Sequence, residues 1–220
     1  MTASYRIIDG AEIPLEYLKN AYVLDEASFT GEDCVPVEQC LAWHSVNNEI
    51  YTVAVDNETD EILSCMNMMP VTPEYYEKIK NGELKDCELP VEAVVKFDKM
   101  GSFDLYFSAI AIKPGVKNRA VLRSMIDAMG KKLLKLASKG ILCRRMVADA
   151  VSGKGQGMCE MFGMKRIGES PDGSAIFEIS MLPPDFRPLT KSMKELYTVY
   201  KSFAEAIMME KMIKGRMNHE

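Results

Sequence analysis

Histidine is almost missing from this chain: His44 and His219 are the only two. A zinc centre built on imidazoles, or a histidine-based nucleophilic triad, therefore has little material. The six cysteines (Cys34, Cys40, Cys65, Cys87, Cys143 and Cys159) are scattered and form no C-x-x-C pair. Reduced thiols, several of them buried, are expected, and no metal site. There is no G-x-x-x-x-G-K-S/T run, and Gly153-x-Gly155-x-Gly157 lacks the spacing of a dinucleotide-binding turn. No apolar stretch approaches the ~20 residues of a membrane span. The opening Met1-Thr2-Ala3-Ser4-Tyr5-Arg6 does not read as a signal peptide. A soluble, cytoplasmic protein without a membrane partner is expected. The net charge of −5 supplies no concentrated basic face, so nucleic acid is not the expected partner.

What is present suits a folded globule: 220 residues, 47% hydrophobic and 27% charged. The 17 methionines suit core filling or an adaptable apolar surface. Tyr5–Asp9 reads as a short strand, and Pro14 opens a helix that Gly31 breaks. A second helix follows Pro36 and ends near Asn47-Asn48. The acidic residues Asp25, Glu26, Glu32, Asp33 and Glu38 form either a solvated face or a rim that attracts a cationic amine. His44 beside Trp43 reads as a packed, satisfied histidine. Ile50–Val55 and Ile62–Met68 make a hairpin, and Pro73–Lys80 a short helix capped by Thr72. Residues 82–99 are charged and weakly periodic, as an inserted functional or mobile loop would be.

Phe103–Ile112 is apolar nearly throughout, as a central strand buried on both faces should be. Pro114-Gly115 ends it, and a long helix runs from about Arg119 to Ser138 with Gly140 as its stop. Another strand at Arg145–Ala150, a short helix at Ser152–Phe162 and a hairpin at 163–167 and 175–179 follow. Pro183, Pro184 and Pro188 mark a boundary, which divides the chain into a domain of residues 1–182 and a helical extension of residues 183–220. Ser192-Met193-Lys194-Glu195 resembles a capping box. Met193, Leu196, Tyr200, Phe203 and Ile207 then form one apolar face, which either packs on its own domain or joins a homodimer.

A strand, a Pro-Gly turn with basic residues and then a long helix can bind an anion, because helix-start N–H groups lack partners and the dipole adds positive charge. Lys117 and Arg119 add full charges. The element order β-α-α-β-β-β-α-β-α-β-β over residues 5–181, with Ile112-x-Pro114 leading into the long helix, resembles the GNAT N-acetyltransferase superfamily. The resemblance implies an α+β fold, with a mixed, mostly antiparallel central sheet flanked by helices. It implies that Lys117-Asn118-Arg119-Ala120-Val121-Leu122 stands where the family has Gln/Arg-x-x-Gly-x-Gly/Ala around the pyrophosphate of acetyl-CoA. Lys replaces Arg or Gln, Ala the first Gly, and Leu the last small residue. Ile110, Ala111 and Ile112 would meet the pantetheine arm, and Ser152 falls at the family's Asn position. Cys159 falls where a Tyr commonly protonates the departing thiolate; it is a substitute acid or a buried structural thiol.

Amine attack on a thioester needs a base and a donor for the oxyanion or leaving thiolate. Period-two alternation places Asp104, Tyr106 and Ser108 on one strand face. Asp104, or a water held by Tyr106, is the candidate base; otherwise Asp104 merely begins the strand near solvent. Glu160 is a further candidate that also suits a solvated helix surface. Three functions follow. The first is an acyl-CoA-dependent N-acyltransferase using acetyl-CoA and a small amine. The second is a catalytically inactive acyl-CoA-binding or interaction module. The third is an unrelated α/β domain whose pattern matches by chance.

Overall fold

The computed structural model describes residues 4–28, 35–116 and 118–217. Seven strands form one sheet: β1 (Tyr5–Asp9), β2 (Tyr51–Asp56), β3 (Ile62–Val71), β4 (Gly101–Ile112), β5 (Ile141–Ala150), β6 (Lys165–Glu169) and β7 (Ala175–Ser180). Their spatial order is β1-β2-β3-β4-β5-β7-β6. Every neighbouring pair is antiparallel except β4 and β5, which are parallel. That parallel pair requires a crossover, and the long helix α4 (Asn118–Ala137) supplies it. The other helices are α1 (Leu15–Ser28), α2 (Val37–Val46), α3 (Pro73–Lys80), α5 (Gly153–Phe162) and α6 (Lys191–Met217). Among the described residues, no helix is long and apolar enough to cross a membrane.

Strand alternation divides the core between the two sheet faces. Val53, Val55, Cys65, Met69, Tyr106, Val147 and Ile176 pack with α1, α2 and α3. Ala54, Met66, Met68, Leu105, Phe107, Met146, Ala148 and Phe177 pack with α4, α5 and α6. Many methionines therefore fill the interior; Met66, Met69, Met125 and Met129 are almost wholly buried. Lys132 of α4 is also buried, and its Nζ ties the helix to Asp9 at 2.7 Å and to the Glu49 carbonyl.

Several boundaries differ from the sequence expectation. β3 continues three residues beyond Met68, through Pro70, whose carbonyl accepts the Val95 N–H at 2.9 Å. β5 begins at Ile141, four residues before the expected start. Thr72 precedes α3 but its side chain makes no cap hydrogen bond. The segment 82–99 is pinned rather than loose: Leu89, Ala93 and Val94 are buried. Its Leu89 carbonyl accepts from Gln39 at 2.6 Å and from Trp43 Nε1 at 3.1 Å, both on α2.

The C-terminal helix joins the same core, since Met193, Leu196 and Tyr200 are buried with the residues of α4 and β5. The Tyr200 hydroxyl accepts the Cys143 N–H at 2.8 Å. Phe203, Ile207, Met208 and Met209 farther along are exposed. The first turn is capped by Thr190, whose Oγ1 accepts the Met193 N–H at 3.3 Å, in place of the expected Ser192 box. Ser192 instead donates to Asp127 Oδ1 on α4 at 2.8 Å. Burial pushes the Asp127 carboxyl up, but hydrogen bonds from Ser192 and Lys131 bring it down to about 2.

Gly130 sets how closely α4 and α6 approach. A Cβ there would stand 3.0 Å from the Met193 nitrogen and 3.1 Å from the Ser192 carbonyl carbon. Gly130→Ala should thus destabilise the fold by ~1–3 kcal/mol despite alanine's better helix propensity. Urea unfolding measures it, and an unchanged or raised midpoint would mean that α6 yields freely.

Candidate functional site

The parallel ladder between β4 and β5 stops in mid-sheet. Pairing runs from Gly101↔Ile141 to Tyr106↔Val147. β4 then continues along β3 to Ile112↔Ser64, while β5 continues along β7 to Ala150↔Ala175. The two strands persist but part from each other, leaving one edge of β4 without a strand partner among the described residues over its last residues.

A bulge marks the place. Asn67 of β3 faces Ala109, but the next residue, Met68, faces Phe107, so Ser108 has no opposite number. An extra residue bends and twists its strand. It also resets the alternation: Ser108 and Ala109 both line one cavity, while Phe107 and Ile110 lie with the opposite core. The cavity measures ≈ 190 Å³. Its lining includes Asn67 of β3, Asp149 of β5, Trp43 of α2, and Lys85 and Asp86 from the pinned segment. Ser108 Oγ donates to Asp86 Oδ2 at 2.6 Å, joining segment to bulge. Lys85 Nζ pairs with Asp172 Oδ2 at 2.7 Å, and both residues line the cavity.

At the far end of β4, Pro114-Gly115 turns the chain, with Gly115 at φ +83°, a value that favours glycine. α4 begins at Asn118, and Arg119 and Ala120 are exposed on its first turn. Lys117 lies outside the described residues, as do Glu32 and Asp33 of the acidic run. Val121 is buried and Leu122 packs against the same core, so at these positions the helix start offers backbone rather than side-chain bulk. Ile110, Ala111 and Ile112 occupy the part of β4 beyond the parting. Ser152 caps α5, its Oγ accepting the Gly155 N–H at 3.1 Å.

Three expected catalytic residues sit elsewhere. Asp104 is buried in the paired part of β4 and does not line the cavity. Arg144 reaches its two oxygens at 2.9 and 2.6 Å, and Arg145 at 3.0 and 2.9 Å. Burial pushes this carboxyl up, yet the hydrogen bonds and charges of Arg145 and Arg144 outweigh it and hold the group below the ordinary value. A carboxylate gripped by two guanidiniums is a poor proton acceptor. Arg145 also stacks over the Tyr76 ring at 4.0 Å, so the cluster rivets α3 to the sheet. Tyr106 is buried in the core under α1 and α3. Cys159 is buried in the core under α5, and burial pushes its thiol up to about 12. Glu160 is exposed. His44 does not line this cavity, and it is not the satisfied histidine expected: its Nε2 is buried with no hydrogen-bond partner among the described residues, and burial lowers its pKa.

The sequence reading missed Asn67, Asp86 and Asp149. A polar residue flanked by apolar neighbours within a strand (Met66-Asn67-Met68 and Ala148-Asp149-Ala150) was the available signal for Asn67 and Asp149. Asp86 stood in the segment flagged only as an insertion.

No family model matches the sequence, and no curated protein matches it. Solved structures do match in shape. The loading GNATL domain of CurA from Lyngbya majuscula aligns at TM-score 0.60 and 11% identity, covering 81% of this chain and 98% of that one. A chain of the NatC complex bound to Gag peptide and CoA aligns at 0.53 and 11%, covering 81% and 96%. Mosquito arylalkylamine N-acetyltransferase like 5b aligns at 0.51 and 11%, covering 80% and 100%. The chain has the fold of the GNAT acetyltransferases, in a divergent sequence.

The arginine cluster carries a stability prediction. Asp104→Asn removes the carboxylate that pairs with Arg144 and leaves Arg145 with Glu77 alone at close range, and should cost ~1.5–3 kcal/mol. Because the folded-state pKa of Asp104 is lowered, its contribution is full above the unfolded carboxylate value and fades as pH falls below it. Denaturant titrations at neutral and acid pH should show the gap between wild type and variant shrinking with acidification. A gap that is constant or widening would contradict the assignment.

Proposed function

We propose that this chain is an acyl-CoA-dependent N-acyltransferase that uses acetyl-CoA as donor and a small amine as acceptor. The observation that carries the reading is the parting of β4 from β5 beyond Tyr106 and Val147, with a cavity at the parting and a helix start at the end of the freed strand. A free strand edge accepts an amide-bearing chain by backbone pairing. The two amides of a pantetheine arm fit Ile110, Ala111 and Ile112 in that way. The first turn of α4 suits the pyrophosphate, through unpaired N–H groups and the Arg119 guanidinium. The thioester then reaches the cavity mouth at Ser108 and Ala109.

The reaction is direct transfer. The acceptor ammonium gives one proton to a cavity carboxylate, and its nitrogen attacks the thioester carbon. A C–N bond forms, the C–S bond breaks, and the electron pair leaves on sulfur. The second nitrogen proton passes to that thiolate, and the carboxylic acid returns its proton to water. Asp86 and Asp149 line the cavity and take over the basic role expected of Asp104. The alternative, a binding module without turnover, draws support from Cys159: a buried thiol pushed up to about 12 is a weak acid where the family's tyrosine would stand.

Calorimetric titration with acetyl-CoA tests the reading. Saturable binding is expected, and Arg119→Glu should weaken it at least about tenfold by placing a negative charge beside the pyrophosphate. Unchanged affinity in the folded variant would remove α4 from the site. Binding without release of free CoA on adding amines would favour the module.

A further inference from the structure

Asn67 is a polar side chain in the wrong place for a purely structural residue. It is only 5% exposed, sits mid-strand in β3, and lines the cavity at the bulge. Its Oδ1 is buried and has no hydrogen-bond partner among the described residues. A buried acceptor left in that state is costly, and it calls for a donor that the described residues do not provide. A ligand in the cavity can bring that donor.

The charges around it say which ligand. Among the described residues the lining carries three carboxylates, Asp86, Asp149 and Asp172, against one ammonium, Lys85. Three minus one leaves a formal excess of two negative charges. An alkylammonium brings a positive charge and three N–H donors, matching both the lone acceptor and the field. A carboxylate-bearing amine of equal size would meet like charge. Size limits it further: a cavity of about 150 Å³ holds benzene, so ≈ 190 Å³ admits roughly six to eight non-hydrogen atoms.

We propose that this cavity selects a small aliphatic amine without a carboxylate, holding its ammonium between Asn67 Oδ1 and the Asp86 carboxylate. Asp86 is fixed for the task by Ser108 Oγ at 2.6 Å, so the bulge that opens the strand edge also positions the acceptor's anchor. The segment that carries Asp86 is the specificity element, pinned from behind by Gln39 and Trp43. The role of this site as an acceptor site rests on the acyltransferase reading; the ability to bind the amine does not.

A matched set of probes tests it: putrescine, n-butylamine and γ-aminobutyrate, each titrated calorimetrically into the full chain without acyl-CoA. The two amines should bind saturably, and γ-aminobutyrate, which places a carboxylate at the far end of the same chain, at least about tenfold more weakly. Asn67→Leu and Asp86→Asn should each weaken putrescine about tenfold or more. If Asn67→Leu fails to fold, Asp86→Asn and the probe comparison still decide. Equal or tighter binding of γ-aminobutyrate, no binding of either amine, or unchanged affinity in folded Asp86→Asn would each overturn the proposal. A parallel acetyl-CoA titration separates the two claims: amine binding without acetyl-CoA binding keeps this pocket and sinks the transferase.

Discussion

The residue Ser108, which has no partner across the β3–β4 ladder, organises everything that follows it along β4. Ahead of it, from Asp104 to Tyr106, β4 is hydrogen-bonded to β3 on one side and β5 on the other. From the bulge onward the strand keeps β3 alone. One inserted residue thus creates a free backbone edge in the middle of the sheet, where burial would normally forbid one. The same residue adds its side chain, and that of Ala109, to the cavity wall.

Such a gap survives only if the rest of the sheet is held firmly. Below the parting, Asp104 clamps β4 to β5 through Arg144 and Arg145, and the same arginine engages Glu77 of α3 at 2.7 Å. Around it, the crossover helix α4 is fixed along its inner half, by Lys132 to Asp9 of β1 and the Tyr51 carbonyl of β2 and by Asp127 and Gly130 to α6. The segment carrying Asp86 is fastened by α2 and by the Val71↔Val94 bridge. Acidic residues here do two separate jobs. Asp104 is ionised to hold structure; Asp86 and Asp149 face the cavity.

Local patterning made the framework legible. The nearly continuous apolar run of β4 and the 3.6-residue periodicity of α4 read directly as a buried strand and its crossover, and the element order around that pair carried the resemblance that implied the α+β arrangement. Where local reading failed, the cause was a partner distant in the chain. Pro70 stays within β3 because Val95 bonds to its carbonyl, and Arg144 stands in β5 with its half-exposed side chain paired to Asp104. Asp104 looked like a base for the same reason: its two arginines lie 40 and 41 residues away. The bulge is silent in sequence, since Phe107-Ser108-Ala109 alternates as acceptably as any strand. Asn67 and Asp86 are brought to it only by the sheet register and by the path of residues 82–99.

Amide hydrogen exchange, read residue by residue along β4 with and without acetyl-CoA, tests the central claim most directly. If the edge beyond the bulge receives the pantetheine arm, saturating acetyl-CoA should slow exchange within Ala109–Ile112 and in the first turn of α4. Asp104–Tyr106, already paired on both sides, should not respond. Equal change along the whole strand, or none beyond Ser108 while the ligand is bound, would contradict the account, because the opened edge would then not be where the ligand lies.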